Sequence, residues 1–147
     1  MGALSDLLKD PAKRRAIVTD GVGVIEAEVG DKRGMTGVAV KAAYGAVKKV
    51  KPGFVPSALD HLMPAFADQI DPFYDDYKAK GGGDLRAYFV KNGDAIANAL
   101  LSITDGRAQK ADNRVVRKAY EKLRPQGVQH TVAAMPRLAG LVSKHVG

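Results

Sequence analysis

The residues that could do chemistry are a run of aspartates, three histidines, four serines and two arrays of lysine and arginine. Asp68, Asp71 and Asp75 follow a 3-then-4 spacing, with Asp76 adjoining. On a continuous helix that spacing aligns carboxylates, the oxygen donors that hard cations prefer. Pro72, however, makes Asp71 read as the cap of a new helix, which breaks the alignment. The run also lacks the Asp-x-Asp-x-Asp-Gly pattern of a calcium loop. It reads as a cap plus solvated charge, and no metal is expected.

His61, His130 and His145 are too far apart for the His-x-x-x-His or Glu-x-x-His spacings that place two ligands on one helical face. They read as surface or core-edge histidines. Ser5, Ser57, Ser102 and Ser143 stand in no Gly-x-Ser-x-Gly elbow. Gly21-Val22-Gly23 has no preceding strand and no following Gly-Lys-Ser/Thr, so it is not read as a phosphate loop. With no catalytic constellation, the expectation is a non-enzymatic protein without a cofactor.

The basic arrays carry more. Residues 35–58 hold four basic groups and no acidic one, residues 59–84 are net −4, and residues 85–147 are net +7. Clustered positive potential attracts phosphates, anionic lipid or acidic protein. Arg114, Arg117, Lys118 and Lys122 fall on one side of a helix, opposite its apolar stripe, and Lys41, Lys48 and Lys49 fall on the outer side of another. Glu121 is placed to pair with Arg117 or Lys118. Seven of the nine aromatic residues lie between positions 54 and 89, around the acidic segment. Base stacking on aromatics interleaved with the basic groups is therefore not expected, and nonspecific contact with phosphates remains.

The elements that must position these groups are helices. Asp10-Pro11 starts one, because Asp accepts orphan amides and Pro is pre-set for a first turn. Val18, Val22, Ile25 and Val29 give it a stripe to about Asp31. Ala16 to Ile25 also reads as a hairpin turning at Asp20-Gly21, and the helix is the preferred of the two. Thr36 is placed to cap a second helix to Lys51, basic and amphipathic enough to suggest an anionic lipid surface. A third buries Leu59, Leu62, Met63, Phe66 and Ile70, with Pro64 expected to kink or split it. Asp71-Pro72 then caps a short helix that ends at Gly81-Gly82-Gly83. After those glycines Asp84, Asn92 and Asp112 open three helices, and a last one holds Val128, Val132, Met135 and Val142, bent at Pro136.

Thr-Asp-Gly, Lys-x-Lys/Arg-Pro and Met-Pro recur in order, at residues 19–21, 49–52 and 63–64 and again at 104–106, 122–125 and 135–136. This repeat suggests two degenerate three-helix halves, 1–80 and 84–147, hinged at Gly81–Gly83. The expected fold is an all-α, single-domain bundle of about six main helices. Two proline-bent helices facing one another would leave a space for an apolar ligand, near Met63, Phe66, Met135 and Leu138. Without cysteine there are no disulfides, and no segment reads as a signal peptide or bilayer span. The setting is expected to be cytoplasmic.

Ser5-Asp6-Leu7-Leu8-Lys9-Asp10-Pro11, Lys51-Pro52-Gly53-Phe54-Val55 and Lys122-Leu123-Arg124-Pro125 resemble a family of small all-helical bacterial proteins of unknown function. The resemblance implies a helical fold and a bacterial cytoplasmic setting, and it brings no activity and no site residues. From the residues, the leading expectation is a binding module that meets an anionic partner through the seven basic groups named above. The alternative is a carrier of an apolar or amphipathic molecule held between the halves.

Overall fold

The computed structural model describes residues 2–146, which form α-helices α1 (Ala3–Leu7), α2 (Pro11–Asp31), α3 (Gly34–Lys48), α4 (Phe54–Ala79), α5 (Leu85–Lys91), α6 (Gly93–Gln109), α7 (Arg114–Leu123), α8 (Gly127–Ala133) and α9 (Met135–Val146). A 3-10 turn, Arg124–Gln126, joins α7 to α8. No strand occurs among the described residues. The fold is an all-α bundle, in which α2 packs on α3, α4 and α9, α4 on α6, α5 on α9 and α3 on α7. One core gathers Leu4, Ala67, Ile70, Leu85, Phe89, Ile96, Met135, Ala139 and Val142 from α1, α4, α5, α6 and α9.

Several starts follow local chemistry. Asp10 accepts from the Ala12 and Lys13 amides, and Asp84 accepts from the Ala87 amide. Residues 16–25 are helix throughout and not a hairpin. Other caps differ. The second helix starts at Gly34, two residues before Thr36, with no side-chain cap. Asn113 rather than Asp112 caps α7. Asn92 occupies the cap position of α6, but its amide donates back to the Tyr88 carbonyl.

The prolines depart most from expectation. α4 runs unbroken through both Pro64 and Pro72. A helical proline frees the carbonyl four residues earlier, here that of Asp60. The Arg14 guanidinium takes that carbonyl at 2.8 Å and the Asp60 carboxylate at 2.7 Å. A side chain from α2 thus supplies the donor that Pro64 removes. Asp71 caps no helix of its own. It is buried, and its carboxylate accepts from the Leu4 amide (2.9 Å), the Ser5 amide (3.2 Å) and the Ser5 hydroxyl (2.6 Å). It therefore caps α1 from 67 residues away. Gly2 permits this approach, because a Cβ there would sit 2.0 Å from the Asp71 carboxyl. Pro136 does more than bend the last segment: the helix ends at Ala133 and restarts at Met135.

Candidate functional site

A cavity of about 260 Å³, open to solvent on one side, lies between α2, α4, α6, α8 and α9, with α1 at one end. Its α4 wall is one stripe, Leu59, Met63, Phe66 and Ile70, at spacings of 4, 3 and 4. Ile17, Gly21 and Val24 form the matching row on α2, and Leu101, Leu138, Leu141 and Val142 close the far side. Gly21 matters to the shape: a Cβ there would meet Leu59 Cδ2 at 2.7 Å. Without that side chain Leu59 folds against the α2 backbone, and the space between the stripes stays open.

Among the described residues only two polar side chains line this cavity, and both are engaged. The Thr131 hydroxyl donates to the Gly127 carbonyl at 2.8 Å. The Thr104 hydroxyl lies 3.1 Å from the Leu101 carbonyl and 2.7 Å from the Tyr120 hydroxyl. Tyr120 in turn donates to Asp105, which also accepts Arg124 through Nε (2.8 Å) and a terminal nitrogen (3.1 Å). Arg124, then Tyr120, hold the Asp105 carboxyl below its ordinary range.

A second cavity of about 290 Å³ adjoins the first, and Val24, Ile25, Leu101 and Thr131 line both. Its wall adds Val40, Leu123 and Gly127, together with Glu28, Lys32, Arg124 and His130. Four ionisable residues stand in this wall, yet the surface it turns to the space is almost wholly apolar, as in the first cavity.

Three of the four residues expected at an apolar pocket, Met63, Phe66 and Leu138, line the first cavity. Met135 does not. It shares α9 with Leu138 but is fully buried in the core, its side chain against Gly93 at the start of α6. The basic residues lie elsewhere. Arg114, Arg117, Lys118 and Lys122 on α7 and Lys41 and Lys49 near α3 are exposed and make no ion pair among the described residues. Lys48 is held by Glu26 at 3.1 Å and sits over the Tyr44 ring. The expected pairing of Glu121 with Arg117 or Lys118 is not formed. Asp68 accepts from the Ser5 hydroxyl at 3.1 Å, and with Asp71 committed to α1 the aspartate run is a tether for the N-terminal helix. No cluster of three or more metal-ligating side chains occurs among the described residues.

A model of a family of unknown function, DUF6918, matches residues 4–146. The chain belongs to this family. In DUF6918 terms the match covers every helix that builds the two cavities, from Leu4 to Val142. No curated protein and no solved structure matches the chain. No helix among the described residues is long and apolar enough to cross a membrane.

Sequence reasoning placed none of Gly21, Lys32, Thr104, Arg124, His130 and Thr131 at a ligand pocket. Two of these carried a signal. Thr104 lies four residues after Leu100, and Thr131 lies three after Val128 and four before Met135, so each is a hydroxyl on an apolar stripe. Lys32 and Arg124 carried none, since each sits at a helix end where a solvated cation is ordinary.

Proposed function

We propose that this protein binds an apolar or amphipathic small molecule in the cavity between α2, α4, α6 and α9. The observation that carries the reading is an almost wholly apolar cavity of about 260 Å³ inside a chain of 147 residues. Protein interiors pack as densely as organic crystals, and voids larger than a water molecule are few. An engineered apolar void of ~150 Å³ stays dry and takes up benzene or xenon. At ~24 cal/mol per Å³, an enclosed void of this size would cost ~6 kcal/mol, a ceiling here because the cavity opens to solvent. Even part of that is large against a domain stability of ~5–15 kcal/mol. An apolar occupant removes the cost, and the adjoining second cavity brings the space into the range of ordinary ligand sites.

Native mass spectrometry of gently purified protein tests this. The expected result is a discrete extra mass that survives high salt and leaves with organic solvent. After delipidation, 1-decanol should raise the melting temperature in a saturable way. A bare mass together with no thermal shift from 1-decanol would overturn the reading.

A second reading rests on a separate observation. The two basic helices α3 and α7 pack on each other, and six of the seven basic residues expected to meet an anionic partner are exposed and unpaired among the described residues. Such a face suits contact with an anionic macromolecule or surface, with affinity that collapses as salt rises. Reversing Arg117 and Lys118 to Glu should abolish binding to duplex DNA or anionic vesicles and leave 1-decanol binding unchanged. Absence of any salt-sensitive binding by the unaltered protein would rule this reading out.

A further inference from the structure

The outward side of α3 is not purely basic. Met35 and Val38 are 89% and 68% exposed, the two barest large apolar side chains among the described residues. Val38, Ala42, Gly45 and Lys49 follow Met35 at spacings of 3, 4, 3 and 4, which is one row of a helix. The buried residues of α3, Gly37, Val40 and Ala43, lie on the other side. A helix at the edge of a bundle ordinarily turns polar residues to water, so α3 is apolar on a side where packing does not require it. Isolated exposed apolar side chains are ordinary, whereas a row of them inside a charged rim marks an interaction surface.

The rim is cationic. Lys41 stands beside the row and Lys49 ends it, and both are exposed without an ion pair among the described residues. Residues 35–58 hold no acidic group to offset them. The neighbouring helix α7 packs alongside α3 and repeats the mixture, with Val115 45% exposed, next to Arg114 and three residues from Lys118. This mixture distinguishes between anionic partners. Contacts with the phosphates of duplex DNA would use the cations and leave Met35 and Val38 idle. Pairing the face with its counterpart on a second copy would set cations against cations. A bilayer with acidic headgroups meets both features, since its charge lies outside and its hydrocarbon just beneath. Resting on the basic-face reading above, we propose that the anionic partner is such a bilayer, with Met35 and Val38 dipping below the headgroups and the cations of α3 and α7 among them. The row has no aromatic residue and no leucine, so its insertion is shallow and binding requires acidic lipid.

Vesicle sedimentation separates charge from insertion. The unaltered protein should bind vesicles of phosphatidylglycerol and phosphatidylcholine, release them as salt rises from ~0.1 to ~1 M, and ignore phosphatidylcholine alone. Joint replacement Met35→Ser and Val38→Ser should weaken vesicle binding about tenfold, the value of partly burying two such side chains. The same pair should leave binding to duplex DNA unchanged, and because both positions are exposed the fold should survive. The chain has no tryptophan, so Met35→Trp places a single reporter at the tip of the row. Its emission should move to shorter wavelength on acidic vesicles and be quenched by lipid brominated in the acyl chain. Val90→Trp, at an exposed position on α5, which packs on α9, should show neither effect. Vesicle binding unchanged by the serine pair, Met35→Trp emission that stays unquenched, or binding to duplex DNA without binding to acidic vesicles would overturn the bilayer assignment and leave the basic-face reading standing. If the unaltered protein binds neither vesicles nor DNA, that reading falls as well.

Discussion

Val24 lines both cavities, so replacing it with Phe tests whether the space is real. Phe carries four more carbons than Val. At ~0.8 kcal/mol per buried methylene, moving them from water into an apolar void is worth ~3 kcal/mol. Forcing them into a filled core instead costs ~1–3 kcal/mol through strained rotamers and backbone shifts. The two cases differ in sign. With the cavity open, Val24→Phe should stabilise delipidated protein by ~2 kcal/mol, a rise of ~4–8 °C in melting temperature for a domain of this size. The same side chain then occupies the ligand's place. At a 1-decanol concentration 100 times Kd the unaltered protein should gain ~2.7 kcal/mol, and Val24→Phe should gain almost nothing. Circular dichroism melts with and without 1-decanol read both effects. A variant that melts lower than the unaltered protein and still responds to 1-decanol would refute the reasoning, since neither empty space nor its occupation by a ligand would survive that result.

Asp71→Asn keeps the shape of the α1 cap but weakens its charged bonds to Leu4 and Ser5, and a loss of ~1–3 kcal/mol in a denaturant melt is expected. Gly2→Ala should cost at least as much, because the new methyl would sit 2.0 Å from the Asp71 carboxyl. Arg14→Met should destabilise more with Pro64 present than in a Pro64→Ala background, by ~1 kcal/mol in a double-mutant cycle, since an alanine at that position supplies its own amide to the Asp60 carbonyl. His130 binds its proton more weakly in the folded protein than in the unfolded chain, because burial and then Lys32 disfavour the charged ring. Its contribution to stability is whole above about pH 6.5 and shrinks as pH falls toward the folded value. Melting temperatures measured from pH 7 to pH 5 should fall, and His130→Leu should flatten that part of the profile. The lowered carboxyls of Asp20, Asp76 and Asp105 act in a separate window, at about pH 4 and below.

What the sequence made legible was local. The Asp10-Pro11 start and the Asp84 cap each need only residues within three positions, and both form. The α4 stripe of Leu59, Met63, Phe66 and Ile70 follows from helical spacing alone, and it became a wall of the cavity. What failed depended on partners far along the chain. Pro64 reads as a break to anyone who cannot see Arg14, 46 residues before Asp60, in reach of the Asp60 carbonyl. Asp71 before Pro72 reads as a cap for its own helix, and it is one for a helix 67 residues away. Met135 shares an apolar pattern and a helix with Leu138, but Gly93 at the start of α6 leaves room for the Met135 side chain in the core while Leu138 lines the cavity. His130 looked ordinary because its distinction, a buried nitrogen with no partner, is a property of the packed neighbours.

These long-range partners also explain how a small bundle can hold such a space open. The N-terminal segment is tied to α4 near each of its two interior prolines: Arg14 reaches the Asp60 carbonyl below Pro64, and Leu4 and Ser5 reach Asp68 and Asp71 just before Pro72. Between those ties lie Leu4 and Leu8, which form the cavity's α1 end. Apolar collapse would draw this short segment inward and narrow the cavity. Ties of fixed length at both ends resist that movement, because Asp71 sets where α1 starts and Arg14 sets where α2 lies. The cavity is therefore a consequence of polar bonds as well as apolar shape. On this account Asp71→Asn should weaken 1-decanol binding even though Asp71 is not among the residues that line the apolar cavity. A thermal melt of that variant with and without the alcohol would show an altered response if the wall has moved, and an unaltered response would mean that α1 supports stability alone.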